Sequence, residues 1–190
     1  VRGQEIEGGG IESPPLGGFT RAEKLYNDLS YHEAIPVYEH YLEKHDSGRA
    51  MLQLGDCYRL TSIFSKAEYW YGKGLEKGGE VDAKYKLYYA QTLQTNEKYA
   101  EAAKWYASYK QSVPEDKRAN NQLKSSADYM QFLVTKNRYE VHNLSFNSTG
   151  YDFAPSWNGE GLIYSSSRDS AKAISRQSTW TGTQFFDMYY

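Results

Sequence analysis

The chain has 190 residues, with 22 lysines and arginines against 24 aspartates and glutamates, and a formal net charge of −2. This near-neutral balance argues against nucleic acid as the main partner, because binding to phosphates needs a basic face. No apolar run approaches the ~20 residues of a membrane-spanning helix, and the single cysteine, Cys57, excludes an internal disulfide and a cysteine-rich zinc site.

Three segments differ in composition along the chain. Residues 1–19 are rich in glycine and proline, which predicts a flexible amino-terminal arm. Residues 20–138 carry a helical pattern of apolar and aromatic positions. Residues 139–190 are dominated by Val, Phe, Tyr, Ser, Thr and Gly, a composition typical of strands and turns. The chain is therefore predicted to be mainly α-helical, with a β-rich portion after the helices.

The helical segment contains an internal repeat. Small, apolar and aromatic residues recur in register, each set stepping by 33 and then by 35 positions. The sets are Ala22, Gly55 and Ala90; Leu25, Tyr58 and Leu93; Tyr31, Phe64 and Tyr99; Ala34, Ala67 and Ala102; and Tyr38, Tyr71 and Tyr106. We interpret each unit as a pair of helices, in which small residues allow close packing and the last tyrosine fills the groove to the next pair. Cys57 lies in an apolar stretch and is predicted to be buried.

These sets resemble the tetratricopeptide repeat (TPR). Leu54 and Gly55 followed by Tyr58 in the second unit, and Pro114 after the third, match its signature, although the tryptophan usual in its first helix is absent from all three units. The resemblance implies an α-solenoid of three helix pairs. A terminal repeat needs a cap with one polar face, and residues 115–135 are predicted to form that capping helix.

The β-rich portion has a second resemblance. Residues 153–169 contain an aromatic-Ala-Pro stretch, an Asn-Gly turn and a Ser-x-Arg-Asp sequence, and they resemble the PD40 (WD40-like) propeller repeat. Residues 186–190 resemble the next strand of the same blade. The resemblance implies the first antiparallel strands of a β-propeller. Because residues 139–190 suffice for one blade and a propeller needs at least ~4, we expect a partial blade and a chain that is the amino-terminal portion of a longer protein.

TPR units followed by PD40 strands resemble the OmpA-family proteins of Bacteroidota. The resemblance implies a periplasmic protein associated with the outer membrane, in the type 9 secretion machinery or another outer-membrane complex. It also implies a link to peptidoglycan through an OmpA-like domain that these residues do not include. The leading hypothesis is a non-catalytic protein–protein interaction scaffold of such a complex. The alternatives are a peptide- or client-binding TPR adaptor and, as a third class, an enzyme whose catalytic domain follows the propeller.

No catalytic, cofactor or metal site is predicted, and an enzyme is not expected. His40 and His45 lie on different faces of a predicted helix and cannot share a metal ion. The serines before Arg168 lack the Gly-x-Ser-x-Gly elbow of a nucleophile, and we expect them to hydrogen-bond a turn to the neighbouring strand.

The first helices of the pairs are predicted to line the partner-binding face. Glu23, Asp56 and Gln91 follow the small packing position there, and the acids disfavour a clamp for the terminal carboxylate of a peptide. Ordinary packing or solvation is the alternative for every candidate in this groove. The candidates are Tyr58, Arg59, Lys86 and Tyr89.

One modification site is implied by the resemblance to Bacteroidota proteins. Residues 169–171 read Asp-Ser-Ala, which fits their O-glycosylation pattern and makes Ser170 the candidate acceptor.

Overall fold

The computed structural model describes residues 17–129, 140–168 and 176–190. These residues form seven α-helices and one three-stranded antiparallel sheet. The helices are α1 (Gly18–Asn27), α2 (Tyr31–Leu42), α3 (Gly48–Leu60), α4 (Phe64–Glu76), α5 (Lys84–Thr95), α6 (Tyr99–Ser112) and α7 (Lys117–Ala127). The strands are β1 (Asp152–Asn158), β2 (Gly161–Ser166) and β3 (Asp187–Tyr189). The prediction of a mainly helical chain with a smaller β portion is confirmed.

The helices pack as three successive pairs, α1 with α2, α3 with α4 and α5 with α6, and α7 packs on α6. The predicted aromatic residues Tyr31, Phe64 and Tyr99 are the first residues of the second helix in each pair. The repeated alanines and the three repeated tyrosines are fully buried, at 0% exposed: Ala22, Ala34, Tyr38, Ala67, Tyr71, Ala90, Ala102 and Tyr106. The predicted repeat is therefore confirmed in both the helix bounds and the packing.

The second pair depends on a glycine at a close approach. A Cβ at Gly55 would lie 2.8 Å from Cδ1 of Tyr71, so any side chain there would displace the ring. The Tyr71 ring also lies near Tyr85 and Tyr89 of α5, with ring centroids 6.4 and 6.3 Å apart. Tyr71 thus fills the groove to the next pair, as predicted, and it packs on Gly55 within its own pair.

The capping helix is seen in part. Ala119 of α7 is fully buried against the third pair, and Leu123 is partly buried there, so α7 covers the apolar side of α6. The remainder of the predicted cap and the predicted boundary at residues 138–139 lie outside the described residues, as do residues 1–16 of the predicted arm. Cys57 is buried as predicted, and burial raises the pKa of its thiol.

The sheet has the order β1-β2-β3, with both pairings antiparallel. β1 and β2 meet at the predicted Asn-Gly turn, where Asn158 pairs with Gly161 and Gly159 takes a positive φ of 61°. β3 pairs with β2, so the predicted next strand lies in the same sheet. A propeller is not shown, because the described residues form a single three-stranded sheet.

An ion pair on one side of the sheet ties the turn before β1 to the end of β2. Asp152 accepts a hydrogen bond from the backbone N–H of Ser148 at 2.6 Å and another from Nη2 of Arg168 at 3.1 Å. The Arg168 guanidinium lies 5.2 and 4.8 Å from the ring centroids of Tyr164 and Tyr189. Hydrogen bonds from Ser148, Ser166 and Arg168 hold the pKa of the Asp152 carboxyl well below its usual range.

The serines before Arg168 have the structural role that was predicted. The Ser167 hydroxyl accepts from the backbone N–H of Tyr151 at 2.9 Å, and the Ser167 N–H donates to the Tyr151 carbonyl at 3.0 Å. Ser166 accepts from Nε of Arg168 at 3.0 Å. These bonds join the segment before β1 to the end of β2.

The turn inside each helix pair contains a residue in the left-handed conformation. Leu29, Ser62 and Glu97 have φ values of 60°, 63° and 62°. In each turn the next N–H donates to the carbonyl five residues back, at 2.9, 2.8 and 2.8 Å respectively, which completes a Schellman cap. Left-handed conformation disfavours any residue with a Cβ by about 1–2 kcal/mol, so the cap geometry overrides the preference of these side chains.

Asp152 makes the stability of the β portion depend on pH. Its folded pKa lies below the ordinary value of about 3.9, so the ionised carboxylate stabilises the fold fully above that value. The contribution is lost as the pH falls toward the folded pKa. We expect NMR titration to show Asp152 still ionised at about pH 3, and Arg168→Gln to raise its midpoint. A midpoint near the ordinary value in the unaltered chain would contradict this.

Glycine at a left-handed position should stabilise the array. We expect Glu97→Gly to raise the free energy of unfolding by about 0.5–1 kcal/mol, since it removes the Cβ conflict while adding some entropy to the unfolded chain. Urea unfolding followed by circular dichroism measures this. The matched control is Lys104→Gly, at an exposed helical position of α6, which should lower stability by about 1 kcal/mol. If Glu97→Gly lowered the free energy of unfolding as much as Lys104→Gly does, the expectation would be wrong.

Candidate partner-binding surface

All four predicted groove residues make contacts inside the array, and Tyr58 and Lys86 do so through hydrogen bonds to other helices. Tyr58 is 2% exposed, and its hydroxyl donates to Glu39 of α2 and accepts from Nζ of Lys66 of α4 at 3.2 Å. Lys86 is half-buried, and its Nζ donates to Oγ of Ser112 at the end of α6, at 3.1 Å. These two side chains therefore lie against different helices.

The other two lie near the same tyrosine, Tyr71, to which Nε of Arg59 donates at 2.9 Å. Tyr89 sits between α4 and α6, with its ring centroid 6.3 Å from that of Tyr71 and 5.0 Å from that of Trp105. The Arg59 side chain is only 21% exposed, because it reaches the acid of its own helix, Asp56. The structure thus brings Arg59 and Tyr89 to the same tyrosine, while Tyr58 and Lys86 bond to other helices. The assignment of all four to a partner groove stays a prediction.

Asp56 is the centre of a buried polar network that we call the Asp56 network. The residue is 1% exposed, and its carboxylate accepts from the hydroxyl of Tyr26 on α1 at 2.8 Å. It also accepts from the hydroxyl of Tyr71 on α4 and from Nη2 of Arg59 at 3.2 Å. Nε of Arg59 donates to the Tyr71 oxygen at 2.9 Å. Three helices thus supply donors to one carboxylate.

The environment keeps the two phenols and the guanidinium of the network in their donor forms. Burial, and then the charge of Asp56, raises the pKa of Tyr26 and of Tyr71, so both phenols stay protonated and able to donate. Burial alone would lower the pKa of Arg59, but Tyr71 and Asp56 together raise it. The guanidinium therefore remains charged beside the buried acid.

The network reaches the third pair through an aromatic contact. Cζ of Arg59 lies 4.1 Å from the ring centroid of Tyr88 on α5. The other acid of this face, Glu23 of α1, pairs with Arg49 of α3, the first helix of the second pair. The sequence suggests that Asp56 faces a peptide, but the structure buries it and satisfies it internally. The signal that could have located the network is an aspartate in the otherwise apolar stretch around Leu54 and Cys57, since a buried acid requires donors.

A cleft of about 450 Å³ opens beside the network, between α3 and α5 and the end of α4. We call it the α3–α5 cleft. Gln53, which is 7% exposed, lines it, and its Oε1 has no hydrogen-bond partner among the described residues. Apolar and charged side chains complete the lining, which includes Arg49, Leu52, Gln53, Val81, Lys84 and Tyr85.

The cations around the α3–α5 cleft are all paired. Each of the three cations that line it pairs with an acid: Arg49 with Glu23, Lys77 with Asp46, and Lys84 with Asp82. The cleft therefore offers no excess positive charge to the free carboxylate of a peptide, which agrees with the prediction that such a clamp is disfavoured.

The described ranges are residues 17–129, 140–168 and 176–190. Within them, no group of His, Cys, Asp and Glu side chains is placed to hold a metal ion, and no helix has the length and apolar character needed to cross a membrane. Ser170, the candidate O-glycosylation site, lies outside these ranges.

The chain is similar in structure to SycD, a type III secretion translocator chaperone of Yersinia enterocolitica. A crystal structure of SycD in complex with a peptide of the translocator YopD is 17% identical, with a TM-score of 0.51 over 60% of this chain and 92% of that chain. A second SycD structure is also 17% identical, with a TM-score of 0.52 over 60% of this chain and 83% of that chain. No protein-family model matches the chain, and no curated protein does.

The helical array has a TPR-type fold. At this level of identity, the likeness to SycD extends to the fold and no further. The OmpA and PD40 parts of the predicted identity are not shown by these comparisons.

Removing the central acid of the TPR-type array should cost far more stability than removing the outer one. We expect Asp56→Ala to lower the free energy of unfolding by about 3 kcal/mol, because it leaves Arg59 and two phenols without their shared acceptor. Glu23→Ala is the matched control: Arg49, its partner, is 70% exposed, so its loss should stay within about 1 kcal/mol. Urea unfolding compares them, and equal losses would show that the Asp56 network is not what joins the helices.

Proposed function

We propose that this chain is a protein-interaction adaptor whose TPR-type array holds an extended segment of a partner protein in the α3–α5 cleft. The observation that carries the proposal is Gln53, which lines the cleft and whose buried Oε1 has no hydrogen-bond partner among the described residues. A buried acceptor left unpaired costs about 1–3 kcal/mol. An N–H donor from a ligand would recover that free energy.

An extended peptide is the ligand that fits this chemistry best. Its backbone offers an N–H group at every residue, so it can reach the Gln53 oxygen in many sequences. Val81 and Tyr85 line the same cleft and are partly exposed, so they provide apolar surface for one partner side chain. Since the cations around the cleft are already paired, an internal segment is favoured over a chain terminus.

The similarity to SycD supports the proposal by analogy. SycD was crystallised with a peptide of YopD, so a fold of this kind can hold a peptide. Sequence identity of 17% does not carry the YopD site to this chain, and the partner is therefore defined here only by its chemistry.

A finer proposal concerns the place of the adaptor. We propose a non-catalytic scaffold in the periplasm that joins an outer-membrane or secretion complex, with peptidoglycan reached through regions not in this chain. It rests on the resemblance of residues 153–169 to PD40 strands, and the β1–β2 hairpin supports it because its turn lies where that resemblance expects it. Scaffold and adaptor differ in a measurable way, since damage to the α3–α5 cleft should stop client binding and leave assembly of the complex intact.

The adaptor proposal is tested by removing the Gln53 oxygen. Peptides selected from a random 12-residue display library on the full chain would be measured by calorimetry against the unaltered protein and Gln53→Leu. We expect Gln53→Leu to weaken binding about tenfold or more, since one buried hydrogen bond is lost, while the free protein becomes no less stable.

The matched control is Gln111→Leu, at an exposed position of α6, which should leave the affinity unchanged. A library that yields no binding peptide would overturn the proposal. Peptides that bind Gln53→Leu as tightly as the unaltered chain would place the binding surface elsewhere on the array.

A further inference from the structure

The array has three joints, each between the second helix of one pair and the helix that follows it. The first joint lies between α2 and α3, the second between α4 and α5, and the third between α6 and α7. The turns that end the first helices of the second and third pairs, at residues 61–63 and 96–98, lie at the same end of the array as the starts of α2 and α4. The repeat makes the first two joints equivalent, position by position.

Side chains of the array itself close the second and third joints. At the second, Nδ2 of Asn96 donates to the carbonyl of Phe64 at 3.2 Å and to Glu68 at 2.7 Å, and Nζ of Lys98 donates to Glu68 at 2.6 Å. At the third, a ring from the segment after α7 stacks on the first residue of α6: Tyr129 on Tyr99, with centroids 4.3 Å apart and planes 15° apart.

The first joint lacks the Asn96–Glu68–Lys98 clamp, although Tyr58 of α3 donates a hydrogen bond to Glu39 of α2 across it. The positions equivalent to Asn96, Glu68 and Lys98 are occupied by Thr61, Ile35 and Ile63. The Thr61 hydroxyl donates within its own helix, to the carbonyls of residues 57 and 58 at 2.9 and 3.2 Å. The two isoleucines cannot form the ion pair or the amide bond of the second joint. At the first joint, the positions that form the polar clamp of the second are therefore held by two isoleucines and by a threonine bonded within its own helix.

A tight turn from the β portion occupies the first joint. The turn spans residues 177–184, closed by a bridge between Gln177 and Gln184, and we call it the Trp180 turn. The Trp180 ring packs edge-on against Tyr31, with centroids 5.0 Å apart and planes at 84°. Its indole N–H donates to the carbonyl of Leu60 at 2.9 Å. An aromatic contact thus recurs here, as at the third joint.

The Trp180 turn also completes two helix ends. The backbone N–H of His32, in the first turn of α2, donates to the carbonyl of Thr179 at 3.1 Å. Ser30, at the start of that helix, makes no side-chain capping bond. Leu60 is the last residue of α3, so its carbonyl is one of those that a helix leaves without an internal partner. One turn therefore supplies an acceptor to α2 and a donor to α3.

The fit of the turn requires a glycine. Gly182 has a φ of +72°, and a Cβ built on it would lie 2.5 Å from the His32 ring. The backbone of the turn thus lies directly against the start of α2, closer than any residue with a side chain could come.

We propose that the first joint is a recognition site for a tryptophan-bearing tight turn, and that the Trp180 turn of the same chain is its occupant. Tyr31 packs against the ring of Trp180, and the Leu60 carbonyl accepts a hydrogen bond from its indole N–H. His32 lies so close to the turn that only glycine fits at position 182. At the first joint, the turn takes the place of the Asn96–Glu68–Lys98 clamp of the second joint. It also anchors the β portion to the first and second helix pairs.

Amide hydrogen exchange on the full chain tests this. We expect Trp180→Ala to lower the protection of the His32 amide at least tenfold, because its acceptor is no longer held in place. The Ala34 amide, which donates to the Ser30 carbonyl at 2.9 Å, should keep its protection and so report that α2 is intact. Gly182→Ala should reproduce the loss. Trp157→Ala, at a tryptophan of β1 that is 79% exposed, is the matched control and should change neither amide.

A peptide tests recognition in trans. Residues 176–185 as a synthetic peptide, added in excess to the Trp180→Ala chain, should restore the protection of the His32 amide, and the same peptide with alanine for tryptophan should not. Unchanged protection in Trp180→Ala, an equal loss in Trp157→Ala, or no rescue by the peptide would each overturn the proposal. A dimer that dissociates on Trp180→Ala would assign the turn to a second copy and overturn the intramolecular assignment.

Discussion

The buried carboxylate of Asp56 is the constraint on which the arrangement of the first helices depends. A carboxylate that is 1% exposed is tolerated only where charge and hydrogen bonds compensate for the lost water. Its donors come from α1, α3 and α4, so the three helices must approach in one register to satisfy it. The stacking of Arg59 on Tyr88 extends that constraint to α5. Apolar packing brings the pairs together, and the acid defines how they meet.

Tyrosine makes this arrangement possible and explains an unusual composition. The chain has 19 tyrosines and a mean hydropathy of −0.79, yet its repeat positions form a dry core. A buried tyrosine ring removes a large apolar surface from water, and its hydroxyl can reach a polar partner at the edge, as Tyr106 does with Gln94 at 2.7 Å. The buried hydroxyl of Tyr38 has no hydrogen-bond partner among the described residues. Burial raises the pKa of Tyr106 to about 12, so the hydroxyl remains a donor. A hydropathy scale scores tyrosine as polar because of its hydroxyl, although the side chain buries a large apolar ring.

The repeat predicts the helices closely, because its period is a local property of the sequence. The starts of α2, α4 and α6 fall on the predicted aromatic residues, and the buried positions follow the predicted sets. The polar partners could not be predicted, since a position within a repeat gives a helix face but not the donor on another helix. Arg59 is the clear example: the sequence makes it a candidate for the partner groove, and the structure shows its guanidinium bonded to Asp56 and Tyr71. The contact of Trp180 with Leu60 spans 120 residues and leaves no periodic signal.

The position of the Trp180 turn in the chain links the array to the sheet. The turn follows β2, and only two residues separate it from β3, so holding the turn on the first joint fixes where β3 begins. Phe186, one of those two residues, packs edge-on against Phe153 of β1, with centroids 4.7 Å apart. A three-stranded sheet has two edges and little core of its own. Its third strand is therefore stabilised by an anchor on the helices as well as by pairing with β2, and loosening the first joint should loosen β3 with it.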